Sequence, residues 1–396
     1  MDALPIFFCM LMAFAAKGEP QFAASGSLAR LHPLRRMSKV PPVPFDRSAV
    51  PEKPPMPSTS HSTPAAPRKG EAAGAAPSIS VVIPCYRETD HILDVIAGIG
   101  SEVNRIFVID DACPDRTGAY VAERCDDPRV QVVTQDCNTG VGGATKSGYG
   151  TADKAGCDII VKLDGDGQMD PAMIPLLVEP LFAGRADYAK GNRFHRVDAI
   201  TGMPMTRIAG NLALSLMSKL SSGYWDILDP TNGYTAIHTR VVRHIPMDRI
   251  ANSYFFESDM LFRLGLMRAV VEDVPMQACY RKEESGIQLH KVVPEFSFRH
   301  IVNACRRLYF TYFVRDVSVA TVQLIFGSLL LAFGVIFGFV EWIGSARAGV
   351  PATAGTVVLA ALPIILGTQL LISFFNFDTR NVPRTPIHPR LMHDGN

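Results

Sequence analysis

The sequence has no C-x-x-C pair. Its eight cysteines, at 9, 85, 113, 125, 137, 157, 279 and 305, are scattered, and no histidine cluster stands at zinc spacing. That excludes a zinc-ribbon site and a dithiol redox motif, and lone thiols fit a reducing compartment. Net charge is almost absent, +1 over 396 residues, so no global field gathers nucleic acid. One missing glycine removes two phosphate-binding signatures. Thr145 stands where Gly140-x-Gly142 would need its third glycine for a dinucleotide fingerprint. It also replaces the glycine that must precede Lys146 in a P-loop. No Lys or Arg precedes the apolar run Pro5–Ala16, which at twelve residues is too short to span a bilayer. With Asp2 ahead of it, this run does not read as an export signal.

What is present divides the chain. Residues 17–77 hold twelve prolines among Ser, Ala and Gly, a composition that buries too little apolar surface to offset its ordering entropy. Residues 1–77 are therefore expected to be a disordered Pro-rich extension. From Ser78 the texture changes. Apolar runs Ile79–Ile83, Ile106–Ile109, Val130–Thr134 and Ile159–Leu163 alternate with helix-length segments. This predicts an α/β domain over 78–293, a mainly parallel sheet with helices on both faces. Its ligands should bind beyond the carboxyl ends of the strands.

Mean hydropathy is +0.14, and the excess sits at one end. Val317–Val340 and Val350–Phe377 carry no charged side chain over 24 and 28 residues, enough for two transmembrane helices within 317–378. Arginines 299, 306, 307 and 315 precede them, and 380, 384 and 390 follow. The positive-inside rule puts both flanks, the α/β domain and a tail over 379–396 in the cytoplasm. The segment 294–316 mixes aromatics with Arg299, Arg306, Arg307 and Arg315. It reads either as an interfacial helix facing lipid phosphates or as a helix packed on the α/β domain.

The strongest local pattern is Lys162-Leu163-Asp164-Gly165-Asp166-Gly167-Gln168. A buried strand ends and two carboxylates follow at i and i+2. Such hard oxygens can hold Mg²⁺ or Mn²⁺ and leave positions for phosphate. An EF-hand fails, because Met169 and Pro175 stand where the loop needs Gly and Glu. A plain Asp-Gly turn is the remaining alternative. The glycines of Asn138–Gly148 let backbone approach a ligand or a helix pack closely.

Seven elements occur in order: Val82–Glu88, Ile109-Asp110-Asp111, Asn138–Gly148, Asp164–Gln168, Gly191-Asn192-Arg193-Phe194, Asp229–Tyr234 and Phe256–Asp259. Together they resemble the family 2 glycosyltransferases with a GT-A fold, in particular the dolichyl- and polyprenyl-phosphate sugar transferases. The likeness runs from Ser78 to about Lys291, and a two-helix tail is typical of many members. It implies an inverting, metal-dependent transfer from a nucleotide-sugar donor to a polyprenyl phosphate at the membrane. Pro84, Tyr86, Glu88, Asp110 and Asp111 would hold the nucleotide. Asp164, Asp166 and Gln168 would position the metal on the diphosphate. Arg193 and Arg207 would face the acceptor phosphate and the sugar, with Asn211 a turn after Arg207. Asp229 is a candidate beside the acceptor or a turn former before Pro230.

Two departures leave the donor sugar open: Ala112-Cys113-Pro114-Asp115-Arg116 replaces the usual Ser- and Gly-containing turn, and Tyr280–Ser285 lacks the mannosyl-type ending. No Gln-x-x-Arg-Trp occurs, which argues against a processive polysaccharide synthase. A lipid-linked glycan acceptor, a membrane nucleotidyltransferase, a non-catalytic lipid-carrier-binding homologue and a homo-oligomeric assembly stay open.

Overall fold

Alternate residues of the first strand face opposite ways, and both ways lead to apolar partners. In β1 (Ile79–Cys85) every residue is buried. Ile79, Val81 and Ile83 join a cluster with Ile92, Val95 and Ile96 of α1 (Ile92–Ala97) and with Ile174, Leu177 and Leu181 of α4 (Ile174–Phe182). Val82 joins the opposite cluster, with Ala144 and Tyr149 of α3 (Val141–Lys154) and Met260, Leu261 and Leu264 of α7 (Phe256–Met267). A strand buried on both faces can be continuously apolar, and each such side chain contributes about 1.5–3 kcal/mol. The result is a three-layer α/β domain.

The computed structural model describes residues 77–194, 205–276 and 289–391. The expected extension up to residue 76, the Tyr280–Ser285 departure and residues 392–396 lie outside them, as do the side chains of Arg207 and Asn211. The remaining strands are β2 (Arg105–Asp110), β3 (Val130–Thr134), β4 (Ile159–Lys162), β5 (Tyr188–Asn192), β6 (Thr235–His238) and β7 (Val271–Pro275). They form one seven-stranded sheet in the order β3-β2-β1-β4-β6-β5-β7. Only β6 runs antiparallel to its neighbours β4 and β5. The ends of β1, β2, β4 and β5 and the start of β6 therefore meet at one edge.

The glycine pattern of Asn138–Gly148 serves packing. A Cβ on Gly148 would lie 2.2 Å from Val82 Cγ1, so α3 rests directly on β1. Gly142 N–H donates to Asn252 O at 2.9 Å, tying the same helix start to the loop before α7.

The other helices of the domain are α2 (Thr117–Arg124), α5 (Met205–Ser222) and α6 (Thr239–His244). Beyond it, α8 (Leu289–Tyr309) starts earlier than the segment read from sequence. Its inner face packs on the α/β domain: Asn303 bonds Asp259 at 3.1 Å and His300 bonds Ser221 of α5 at 2.8 Å. Phe298, Ile301 and Tyr309 point outward. The expectation for Arg307 needs correction. It does not face lipid phosphates but is buried, 5% exposed, because a carboxylate waits for it inside.

After a wider π-type turn over Phe310–Arg315 come two helices long and apolar enough to cross a membrane, α9 (Val319–Ala348) and α10 (Ala354–Arg380), each holding an 18-residue stretch of mean hydropathy 2.2. Small residues let them approach. A Cβ on Gly334 would meet Ala360 O at 2.8 Å, and one on Gly367 would meet Leu331 N at 2.6 Å. Gln323 Nε2 also donates to Ser373 Oγ across the pair at 3.0 Å.

The chain then returns to the α/β domain. Val382, Ile387 and Leu391 pack against its core, and the amides of Ile387 and His388 donate to the fully buried Asp187 at 2.8–3.0 Å. What the sequence presents as a free tail is, over 381–391, a strap.

Candidate active site

The parallel topology gathers the predicted residues at the strand-end edge. Pro84 is buried within β1, Tyr86 just beyond it is 42% exposed, and Glu88 is half-buried. Arg87 between them takes a left-handed backbone (φ 64°), which swings the chain out of the sheet. A Cβ on Gly165 would sit 3.5 Å from Glu88 Cβ, so the β1 exit and the carboxylate loop after β4 are in contact.

That loop holds Asp164 and Asp166, both half-buried. They leave β4 in a turn rather than an extended strand. Asp166 Oδ1 accepts the Gln168 amide at 2.9 Å. Asp164 Oδ1 accepts from Lys162 Nζ at 2.7 Å. Lys162 is 1% exposed and also reaches Glu257 Oε1 at 3.2 Å. Burial opposes its charge, but Asp164 and Glu257 together outweigh burial and raise its pKa above the ordinary lysine value.

Asp110 and Asp111, expected on the nucleotide side, have carboxylates that the neighbouring loops engage. Asp110, 2% exposed, accepts the amides of Cys113 and Gly118, each at 2.7 Å. Asp111, 3% exposed, accepts Thr139 N at 2.7 Å, Thr139 Oγ1 at 2.9 Å and Gly140 N at 2.8 Å. Their carboxylates shape loops. The physical reason is local: the strand ends where amides of two following loops lack partners, and a buried carboxylate supplies them.

On the far side, Arg193 follows β5 and Asp229 precedes β6. The guanidinium donates through Nε at 2.7 Å and Nη2 at 3.1 Å to the two oxygens of Asp229, which also accepts the Arg193 amide. Asp229 has no exposed side-chain surface while Arg193 keeps about a third of its own. Asp229 thus orients Arg193.

Two buried lysines escaped the sequence reading as functional groups. Lys162 and Lys190 both pair in register with Thr235, one from each side of β6. Lys162 Nζ donates to Gly233 O at 3.4 Å and Lys190 Nζ to Asn232 O. They pin the Asp229–Gly233 loop to the sheet. Burial, only partly offset by Glu257 and Asp229, pushes the Lys190 pKa down to about 8. The available signal was a lysine in each of two short strands, Ile-Ile-Val-Lys and Tyr-Ala-Lys-Gly-Asn, that are otherwise wholly buried.

Among the described residues, no cluster of three or more His, Cys, Asp or Glu could enclose a metal ion. Two half-exposed carboxylates on one loop fit a hard divalent cation only if a ligand's phosphate oxygens and water complete its shell.

Sequence comparisons agree with this geometry. Residues 80–245 match the family described as Glycosyl transferase family 2. The undecaprenyl-phosphate mannosyltransferase of Micrococcus luteus is 30% identical over 202 residues, 50% of this chain and 82% of the relative. The UDP-N-acetylglucosamine–dolichyl-phosphate N-acetylglucosaminyltransferase of Methanococcus voltae is 27% identical, with 51% and 86% covered. The polyprenol monophosphomannose synthase of Mycolicibacterium smegmatis is also 27% identical, with 52% and 78% covered. The three-layer α/β domain with this motif set, together with these relatives, defines a glycosyltransferase. The chain belongs to glycosyltransferase family 2.

Proposed function

We propose that this enzyme transfers a sugar from a nucleotide-sugar donor to the phosphate of a polyprenyl lipid at the cytoplasmic face of a membrane, with inversion at the anomeric carbon. The observation that carries the reading is the shared edge. The half-exposed Asp164–Asp166 pair and the Asp229-oriented Arg193 lie at the same strand ends, in a unit that also holds two membrane-length apolar helices. The names of the three relatives above support the acceptor class.

In this reading Pro84, Tyr86 and Glu88 line the nucleotide side, and Asp110 and Asp111 act on it through the loops they hold. Asp164, Asp166 and Gln168 would hold Mg²⁺ or Mn²⁺ together with the diphosphate's oxygens. Such a cation, when bound, offsets the charge that grows on the departing diphosphate. A phosphate oxygen of the acceptor attacks the anomeric carbon. The bond to the diphosphate breaks and its electron pair leaves with the nucleotide. The acceptor is already ionised near neutral pH, so no group needs to remove a proton. Arg193 presents planar donors to phosphate oxygens, the role that the sequence resemblance also gives Arg207. The exposed Phe298, Ile301 and Tyr309 of α8 rest at headgroup depth.

The test is to incubate membranes containing the protein with a panel of radiolabelled nucleotide sugars and polyprenyl phosphate. One donor should yield a labelled lipid together with nucleoside diphosphate. Release of pyrophosphate, or no labelled lipid from any donor, contradicts the reading.

A further inference from the structure

Lys162 closes β4 directly below the proposed metal loop, and its ammonium is withdrawn from solvent. Three acceptors surround it: Asp164 Oδ1 at 2.7 Å, Glu257 Oε1 at 3.2 Å and the Gly233 carbonyl at 3.4 Å. Gly233 keeps this space open. A Cβ there would lie 2.6 Å from Lys162 Nζ and 2.8 Å from Asp164 Oδ2. The two oxygens of Asp164 are thus unequal. One is claimed from beneath by a cation that cannot swing away; among the described residues, no hydrogen bond engages the other.

We propose that Lys162 is a positioning residue for the metal loop, which takes Oδ1 of Asp164 from inside the sheet and limits that carboxylate to a single-oxygen, partly neutralised contact with the divalent cation. This rests on the reading of Asp164 and Asp166 as metal ligands. Two consequences follow from Coulomb's law in a partly desolvated site. The ammonium lowers the negative potential that Asp164 offers, so the cation is held more weakly than by a bare pair of aspartates. Glu257 shares the ammonium and moderates that effect. A weakly held cation suits an enzyme whose metal arrives and departs with the diphosphate. The site is tuned by a residue that never touches the cation.

The experiment measures protein-bound Mn²⁺ by electron paramagnetic resonance on the detergent-solubilised full chain, with UDP or GDP present in separate arms to complete the cation's shell. Removing the buried pair together, K162M/E257Q, avoids leaving one charge alone inside. It should bind Mn²⁺ about tenfold or more tightly than wild type. E257Q alone, in which Lys162 is no longer shared, should bind it more weakly than wild type. A merely structural lysine produces no gain of affinity, and the two variants move in opposite directions. Asp166→Asn must lower Mn²⁺ binding in parallel, which locates the signal. Unchanged or weaker binding in K162M/E257Q, with Asp166→Asn still lowering it, overturns the role of Lys162 and leaves the metal loop intact. Unchanged binding in Asp166→Asn overturns the metal reading and this inference with it. If the double variant does not fold, E257Q decides: affinity equal to or above wild type contradicts the proposal.

Discussion

Arg307 donates Nη1 and Nη2 to the two carboxylate oxygens of Asp378, at 2.8 and 3.0 Å, with both side chains almost fully buried. The pair joins the helix before the two long apolar helices to the last turn of the second of them. Tyr312 Oη at 2.5 Å and Trp225 Nε1 at 3.0 Å complete the shell around Asp378, and Arg307 Nε donates to Leu220 O at 2.9 Å. Three elements distant in sequence meet on one carboxylate. The orientation of the α/β domain relative to the apolar helix pair is thereby fixed by hydrogen bonds of defined direction.

Asp378→Ala should cost about 3–5 kcal/mol, since it leaves a buried guanidinium without its partner. Denaturant unfolding of the solubilised protein checks this. Trp225 fluorescence should change before the α/β core unfolds, because its indole loses its acceptor.

For the Arg193–Asp229 clasp, Arg193→Met should destabilise more than Asp229→Asn. The first strands a carboxylate with no exposed surface, whereas the second strands a guanidinium that solvent still reaches. The double variant R193M/D229N should recover most of the loss, on the order of 2 kcal/mol or more. Its transfer activity should stay absent. Unfolding midpoints and turnover on the same preparations separate the two effects.

The strap carries a pH signature. His238 stacks on His388 with ring centroids 3.9 Å apart, and burial followed by the neighbouring His388 pushes its pKa down to about 4. The unfolded histidine protonates near 6.5, so stability is fully present above that value and is lost as pH falls toward 4. Asp187 acts in the same direction. Burial would raise its pKa, but the donors of His388, Val270 and Ile387 outweigh burial and lower it. Wild type should thus lose on the order of 3 kcal/mol relative to His238→Phe across this window. Unfolding curves at pH 7, 5.5 and 4.5 measure the difference.

The sheet was legible because strands buried on both faces must be apolar along their whole length. The edge that carries the chemistry followed from where those runs stop. Long-range pairing was not. Arg307 looks in sequence like the other cations flanking the anchor, and its partner lies 71 residues away. Asp187 is an ordinary acid until the amides of residues 387 and 388 arrive from 200 positions downstream. The loop contacts of Asp110 and Asp111 were hidden for a related reason. An acid at a strand end can serve a ligand or the loop beneath it, and the choice rests on backbone amides that sequence does not display.

Metal dependence of lipid glycosylation is the most direct test. The purified protein, stripped with a chelator, is assayed with its donor and polyprenyl phosphate, then resupplied with Mg²⁺ or Mn²⁺. Transfer should vanish on stripping and return with the cation, and Asp166→Ala and Asp164→Ala should stay inactive at every metal concentration, Asp166→Ala while unfolding as wild type does. Sustained transfer by the stripped enzyme, or by folded Asp166→Ala, would contradict the account.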